Sequence, residues 1–275
     1  MAENPLKKYF RQPKIYVDLP SKGVYVAPGT LVGDPEKMAI FGMTGMDEIL
    51  MKTPDALLSG EGTVKVIESC CPVIKDAWNI SILDLDLLLV AIRIATYGNT
   101  MSITHTCSKC EALNDFEIEL GNIVNHFKQC VYDNKVVLKD LVINLRPITY
   151  RAWTEFQLKN FAIQRQLVQT SRLEDTDAQN KIMPDLFKQL SVMQKEALIA
   201  QIDSVEISEG VVDQASYISE FIMNSEQIVF EKIKEQVDKN RVAWEIPKMS
   251  VTCPECGSEE MTTINIDQSD FFANA

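Results

Sequence analysis

Two Cys-x-x-Cys pairs constrain the fold of this chain more than any other feature of its sequence. Cys107 and Cys110 form the first pair, Cys253 and Cys256 form the second, and 142 residues lie between them. A two-residue spacer lets one tight turn direct both sulfurs at a single metal ion, and four thiolates complete a tetrahedral zinc site. We therefore predict one structural zinc ion held by all four cysteines, which requires the two pairs to meet in space.

The alternative for these pairs is that they are unrelated buried or redox-active cysteines. A thioredoxin-like role would require a pair that opens a helix after a strand, and neither pair has that context. The second pair has the Cys-Pro-x-Cys-Gly form of a zinc knuckle. With four thiolates available, we expect His105 to be a strand residue beside the site rather than a ligand.

A period of two in hydrophobicity surrounds both pairs. Residues 101–106 alternate on the way into the first pair, and residues 116–120 alternate on the way out. Residues 242–246 precede the second pair, and residues 261–266 follow it in the same manner. The sequence therefore predicts a zinc ribbon, in which two β-hairpins share one metal ion.

Composition indicates a globular chain without membrane contact. Its 275 residues are 46 % hydrophobic and 24 % charged, which is enough to bury a core. Its strongest apolar run, residues 85–95, is shorter than a membrane span needs and contains Asp86 and Arg93. The first residues lack the apolar core of a signal peptide, so we expect the protein to remain in the cytoplasm where it is made.

A formal net charge of −12 argues against a protein that binds phosphate backbones through clustered Lys and Arg. Because many zinc ribbons bind nucleic acid, a zinc-ribbon nucleic-acid-binding accessory factor remains the alternative interpretation. The acidic charge instead suits a solvated face or a partner protein with a basic surface.

Catalysis is not expected from this chain. The sequence has no glycine-rich phosphate loop, no His-Glu-x-x-His motif and only two histidines. A zinc hydrolase would need an open coordination position, which four cysteine ligands do not provide.

Three helices are predicted before the first pair. Thr44 stands three residues before Asp47, which is typical of a capping box. Gly60 introduces a second helix, and Ser81 begins a third that ends at Gly98. This third helix is apolar along most of its length and is expected to be the core helix of its domain.

Three charged residues of the third helix need an explanation. Asp84 and Asp86 lie near its N-terminus, where the helix dipole favours them, and this explanation is preferred over a catalytic carboxylate pair. Arg93 is expected either to reach water or to pair with a buried carboxylate, with Asp47 or Glu48 as the candidate partner.

These patterns predict an α+β fold with an N-terminal helical part, a split Cys₄ zinc ribbon of two β-hairpins, and a helical insertion between the two Cys pairs. The expected boundaries are an extended N-terminal arm over 1–40, a helical domain over 41–99, the zinc-ribbon and β domain over 100–149 and 241–275, and the helical insertion over 150–240.

Several segments, taken in order, form a pattern that extends beyond the Cys pairs. They are Asp18-Leu19-Pro20-Ser21-Lys22-Gly23, Met46 to Leu50 with Pro54 and Leu57-Leu58, Asp84 to Leu89 with Ile92-Arg93 and Tyr97-Gly98, the first Cys pair through Leu120, and Cys253 to Cys256 followed by Asp267-Gln268-Ser269-Asp270-Phe271-Phe272. In this order the segments resemble the T4-type baseplate protein family of contractile-tailed phages. The likeness covers roughly residues 15–150 and 240–275, and the helical insertion matches only in kind.

The resemblance implies a baseplate hub or hub-assembly subunit, which is a virion structural component or an assembly chaperone rather than an enzyme. Its partners would be other phage baseplate and tail proteins, with several copies in a symmetric assembly. Its location would be the host cytoplasm during assembly and then the tail baseplate of the virion.

Two segments are candidate docking elements for such partners. Leu19 and Pro20 lie in the N-terminal arm, which could add a strand to a neighbour's sheet. Phe271 and Phe272 lie close to the end of the chain, where paired aromatic side chains either fold back onto their own domain or insert into a neighbour. The sequence leaves both alternatives open.

Overall fold

Helices and short antiparallel strands alternate along the chain, which confirms the predicted α+β class. The computed structural model describes residues 5–173, 176–264, 266 and 271–272. The strands are β1 (Pro13–Val17), β2 (Met38–Phe41), β3 (Thr100–Thr106), β4 (Leu113–Glu119), β5 (Lys135–Val137), β6 (Val142–Leu145), β7 (Ile202–Ile207), β8 (Gly210–Val212), β9 (Met249–Thr252) and β10 (Glu259–Thr262). The helices are α1 (Gly45–Met51), α2 (Pro54–Leu58), α3 (Glu61–Cys70), α4 (Ile82–Tyr97), α5 (Leu120–Gln129), α6 (Tyr150–Ser171), α7 (Thr176–Ile199), α8 (Ala215–Asn224) and α9 (Gln227–Trp244), with short 3-10 turns at Pro5–Tyr9 and Ala77–Asn79.

The chain forms two units. The first comprises Met1–Cys130 together with Trp244–Ala275, and the second comprises Val131–Ala243. Both Cys pairs therefore belong to the first unit. Of the helices that the described residues form, none has the length and apolarity needed to cross a membrane.

Helix α4 is the core helix of the first unit, as predicted. Its N-cap Ser81 accepts a hydrogen bond from the backbone N–H of Leu83, and Gly98 ends the helix with a φ of 101° that other residues rarely adopt. Most of its side chains are buried, on several faces, which explains why its sequence is apolar almost all round.

The first helix begins at the predicted capping box. The hydroxyl of Thr44 accepts from the backbone N–H of Asp47, and the Asp47 carboxylate accepts from the backbone N–H of Thr44 at 2.7 Å. The same carboxylate pairs with Arg11 at 3.4 Å. This one buried acidic residue thus fixes the start of α1 and anchors the N-terminal segment.

The N-terminal segment is not the extended arm that the sequence suggested. Strand β1 pairs antiparallel with β2 of the same chain, with Tyr16 opposite Ala39. Leu19 follows this strand and is only 1 % exposed. Beyond it, Ser21 bonds to Asp84 of α4. The segment belongs to the core of the first unit because its apolar residues need the same burial as those of α4.

The second unit is built on a four-stranded antiparallel sheet in the order β5-β6-β7-β8. In the register of β6 and β7, Ile143 lies opposite Val205. Helices α8 and α9 contribute to the core on this sheet, and α6 packs with α7 as a helical hairpin. The buried core residues are Val136, Ile143, Leu145, Leu198, Ile202, Val205, Ile218, Ile222 and Ile233.

This arrangement differs from the sequence prediction in two respects. Strands β5 and β6 were expected to belong with the ribbon, yet they pair with β7 inside the second unit. Strands β7 and β8 lie within the region expected to be helical. Both strands are short. Strand β7 pairs with β6, which is distant in sequence, and a tight turn at 208–209 connects it to β8. The helical periodicity of the flanking segments was therefore stronger than the alternating pattern of the two strands.

Candidate metal centre

The first Cys pair lies at the tip of the hairpin formed by β3 and β4. The last paired residues of these strands are Thr106 and Leu113. Beyond them, the backbone N–H of Cys107 donates to the carbonyl of Ala112 at 2.9 Å, and the N–H of Glu111 donates to the carbonyl of Cys107 at 2.9 Å. Glu111 adopts a left-handed φ of 58°. This tight turn brings the two sulfurs to the same side of the hairpin tip.

The second Cys pair repeats this turn between β9 and β10. The N–H of Cys253 donates to the carbonyl of Ser258 at 2.9 Å, and the N–H of Gly257 donates to the carbonyl of Cys253 at 2.9 Å. Gly257 has a φ of 69° and occupies the place that Glu111 has in the first turn. The two hairpin tips are therefore built alike, although their sequences share only the cysteines.

The two hairpins bring all four sulfurs together, within 4.8 Å of one another. Cys107 Sγ lies 3.6 Å from Cys256 Sγ, and Cys110 Sγ lies 3.7 Å from Cys253 Sγ. A disulfide would require about 2.05 Å. Four sulfurs bonded tetrahedrally to one zinc ion at about 2.3 Å stand about 3.8 Å apart. The cluster could therefore hold a metal ion, and its dimensions fit tetrahedral thiolate coordination.

A carboxylate outside the cysteine set joins the two hairpins. Glu260 of β10 accepts hydrogen bonds from the backbone N–H of Ser108 at 3.0 Å and from its hydroxyl at 2.8 Å. It also bonds to His105 Nε2 at 2.9 Å. The hydrogen bonds from His105 and Ser108 lower the pKa of Glu260 to about 2. His105 thus lies beside the cysteines and orients Glu260.

A second bond between the hairpins comes from an amide. Asn114 Nδ2 donates to the carbonyl of Ala112 at 3.2 Å and to Cys253 Sγ at 3.4 Å. Sequence reasoning missed both Asn114 and Glu260. Neither residue stands in a recognisable motif, and each acts on a hairpin that is far away in the sequence.

The cysteines also differ in their acid–base surroundings. Backbone N–H groups of Cys256 and Glu255 lower the pKa of Cys253 to about 6, against the effect of burial. The N–H groups of Cys110 and Lys109 act in the same direction on Cys107, yet burial and hydrogen bonding with neighbouring sulfurs raise its pKa to about 12. Thiolates so close together repel one another unless a cation balances their charge.

The four cysteines of the cluster differ in their exposure to solvent. Cys107 and Cys253 are buried, Cys256 is half-buried and Cys110 is exposed. A metal ion bound by four cysteines has no remaining position for water or substrate. The chemistry of this donor set is therefore that of a structural site.

The remaining cysteines stand apart from this cluster. Cys70 and Cys71 are fully buried, and burial raises the pKa of Cys70 to about 12. Cys130 is half-buried, with its sulfur 3.6 Å from His126 Nε2. The two adjacent thiols are packing residues of the first unit.

The candidate docking residues are covered by their own chain. Leu19 is buried and Pro20 is half-buried, while Phe271 and Phe272 are each only 2 % exposed. The two aromatic rings meet edge to face at 5.2 Å. Of the two alternatives for this aromatic pair, the structure has it folded back. Contact between these residues and a partner protein stays a prediction, and it would require them to leave their present positions.

The partner of Arg93 is Phe271 rather than Asp47 or Glu48. Arg93 Nη1 donates to the backbone carbonyl of Phe271. The guanidinium lies 5.1 Å from the centre of the Phe271 ring and 5.4 Å from that of Tyr97. The expected pairing with a buried carboxylate is wrong because Asp47 is already engaged by Arg11 and Glu48 by the hydroxyl of Tyr97.

Asp84 lies in the first turn of α4, as predicted, and its side chain is fully buried. Its carboxylate accepts hydrogen bonds from the backbone N–H of Ser21 at 2.9 Å and from the Ser21 hydroxyl at 2.6 Å. Burial raises its pKa to about 6, against the effect of these bonds. The position at the helix N-terminus was predicted, but the bond to Ser21, 63 residues earlier in the sequence, was not.

Comparison with known protein families finds a match over most of the chain. The family model described as T4 bacteriophage base plate protein matches residues 12–273, and this span contains both Cys pairs. Comparison with curated proteins and with solved structures finds no match. Since the family model covers nearly the whole chain, the protein belongs to the T4 bacteriophage base plate protein family.

Proposed function

We propose that this protein is a structural or assembly subunit of the baseplate hub in a contractile-tailed phage, and that it acts by binding other tail proteins. The match to the baseplate family over residues 12–273 is the observation that carries this proposal. Family membership supports the role of a baseplate component. We further propose that the protein lies in the hub, either as a permanent subunit or as an assembly chaperone.

The proposal assigns one zinc ion to Cys107, Cys110, Cys253 and Cys256. The two sulfur separations across the hairpins, 3.6 and 3.7 Å, support a tetrahedral ion of zinc's size. Such an ion would link two hairpins that are 142 residues apart in the sequence. Since the site cannot exist in the unfolded chain, metal binding would stabilise the folded first unit directly.

In this proposal the ion is a structural element. Four thiolates leave no coordination position for a substrate, which is why no catalytic step is assigned to the site. The hydrogen bonds of Glu260 and Asn114 hold the hairpins in register around the ion. The ribbon would thus present a rigid surface to neighbouring tail proteins.

The charge of the protein favours protein partners over nucleic acid. A net charge of −12 repels phosphate backbones and attracts basic protein surfaces. Retention of DNA or RNA by micromolar protein at low salt, with loss of retention as salt rises, would support the nucleic-acid alternative instead.

Quantitative mass spectrometry on highly purified phage particles and on assembly intermediates tests the proposal. A small fixed copy number in the particles is expected for a hub subunit, and presence in the intermediates alone would identify an assembly chaperone. An abundant host cytoplasmic protein, measured in the same samples, controls for contamination. Absence of the chain from both samples would overturn the proposal.

A further inference from the structure

Helix α6 has a second apolar stripe opposite the face that packs on α7. Ile163 is buried on the α7 side. Leu158, Phe161 and Val168 lie on the opposite side of the helix and are 47 %, 65 % and 49 % exposed. With Arg165, which is also exposed, these residues define what we call the free stripe of α6. Large apolar side chains gathered on one exposed helix face indicate a binding surface.

The spacing of the free stripe is that of a helix-pairing seam. Positions 158, 161, 165 and 168 follow each other at intervals of three, four and three, as the a and d positions of a heptad do. The positions that flank such a seam carry no charge. They are Gln157, Ala162, Gln164 and Gln169.

We propose that the free stripe of α6 pairs antiparallel with the free stripe of a second copy of this chain. Two-fold symmetry centred on position 163 places Leu158 opposite Val168 of the other copy. It also places Phe161 opposite Arg165, twice. A guanidinium over an aromatic ring is attracted electrostatically by the face of the ring.

The charge on Arg165 favours a second copy of the chain as the partner and an antiparallel orientation of the two helices. A parallel pair would place Arg165 against Arg165, and like charges at a seam repel one another. An antiparallel pair removes that repulsion and gives each guanidinium a ring. Uncharged flanking positions add no repulsion between copies, although 24 % of the chain is charged. The stripe is therefore complementary to itself in one orientation.

The seam is short, which sets its strength. Positions 158 and 168 are about 15 Å apart along the helix, so the pair buries less area than a stable dimer needs. Association is therefore weak for the protein alone and strengthens where an assembly holds copies close together. This inference deepens the proposed function by naming a second copy as one partner. A purified chain tests it, so its failure leaves the result from phage particles unaffected.

Sedimentation equilibrium over about 10–500 µM protein tests the pairing. The wild-type chain should show a mass that rises with concentration towards that of a dimer. Phe161→Arg should lower the association constant by about tenfold or more, since a lost cation–π contact is replaced by repulsion from Arg165. Phe187→Arg is the matched control, because Phe187 of α7 is similarly exposed but lies outside the free stripe, and it should associate as the wild type does.

The double variant Phe161→Arg with Arg165→Glu tests the orientation. In the antiparallel register each introduced guanidinium faces an introduced carboxylate, so association should return. In a parallel register like charges would face each other, and the double variant would remain a monomer. A wild-type chain that stays monomeric up to the highest concentration, or equal loss in Phe187→Arg, would overturn the proposal. Failure of the double variant to recover would overturn it as well.

Discussion

Glu260 of the second hairpin accepts a hydrogen bond from the backbone N–H of Ser108 in the first hairpin, at 3.0 Å. The two residues are 152 positions apart, and the bond lies beside Cys107 Sγ, which is 3.4 Å from the same carboxylate. One carboxylate therefore holds both hairpin tips in the geometry that four-sulfur coordination requires. Residues around a metal site commonly orient the ligands in this manner.

Replacing Glu260 should weaken metal binding while leaving all four cysteines in place. Glu260→Ala removes the bonds to Ser108 and His105, and we expect zinc affinity to fall by about 10–100-fold. Competition with a chromophoric chelator measures this affinity. Glu259→Ala is the control, since Glu259 is the exposed neighbour on the same strand. Equal affinities in the wild type and in Glu260→Ala would show that Glu260 does not support the site.

A glycine added at the first hairpin tip and a glycine removed from the second should have opposite effects on stability. Glu111 holds a left-handed φ of 58° at the position that Gly257 occupies with a φ of 69°. Residues with a side chain pay about 1–2 kcal/mol in that conformation. Glu111→Gly should therefore stabilise the first unit, and Gly257→Ala should destabilise it by about 1 kcal/mol or more. Urea unfolding with zinc present measures both.

The effect of Gly257→Ala can be attributed to backbone conformation. A Cβ atom at Gly257 would meet no heavy atom within 4 Å, so the cost of the alanine arises in the backbone and not from a clash. Destabilisation by Glu111→Gly, of the same size as that by Gly257→Ala, would contradict the equivalence of the two turns.

The buried carboxylate of Asp84 should make stability depend on pH. Its pKa is raised from 3.8 to about 6, so the folded state binds its proton more tightly than the unfolded state. The stability that this group contributes is complete below about pH 4 and is lost as the pH rises through about 6. One pKa unit corresponds to about 1.4 kcal/mol, which gives at most about 3 kcal/mol for this shift.

The comparison with Asp84→Asn isolates that contribution. Asparagine can still accept the bond from the backbone N–H of Ser21 but does not titrate. Urea unfolding at pH 5, 6, 7 and 8 should show the variant gaining stability relative to the wild type as the pH rises. A difference that stays constant across this range would contradict a buried carboxylate that titrates near pH 6.

Phe271 should contribute to the stability of the first unit. Phe271 is 2 % exposed, and Arg93 contacts both its ring and its carbonyl. Phe271→Ala should cost about 3 kcal/mol or more, as aromatic truncations in cores do. Phe10→Ala, at a ring that is 56 % exposed, should change stability by less than about 0.5 kcal/mol. Similar small losses in both would show that the aromatic pair is not held at this site.

The parts of the fold predicted from sequence are those with local signals. Thr44 and Ser81 mark the starts of α1 and α4 because a capping side chain bonds to the backbone only two or three residues away. The two hairpins that carry cysteines were predicted because alternation and Cys-x-x-Cys spacing lie within one short segment. Such signals need no knowledge of the rest of the chain.

The parts that sequence reasoning missed depend on distant residues. Asp84 bonds to Ser21, and Arg93 bonds to Phe271. A polar residue on a buried helix shows that it must have a partner, but its spacing cannot identify which one. The misplacement of β6 has the same cause, since its partner β7 follows two long helices. The helical patterns in the flanking segments are then stronger than the strand patterns of β6 and β7.

We propose that one zinc ion links the two hairpins through all four cysteines. Elemental analysis of purified protein by plasma mass spectrometry tests it most directly, with Cys253→Ser as the variant and Cys130→Ser as the matched control outside the cluster. We predict about one zinc per chain in the wild type and in Cys130→Ser, and loss of most of it in Cys253→Ser. A wild type that binds no zinc when purified with the metal present, or a Cys253→Ser variant that keeps a full equivalent, would contradict the shared site.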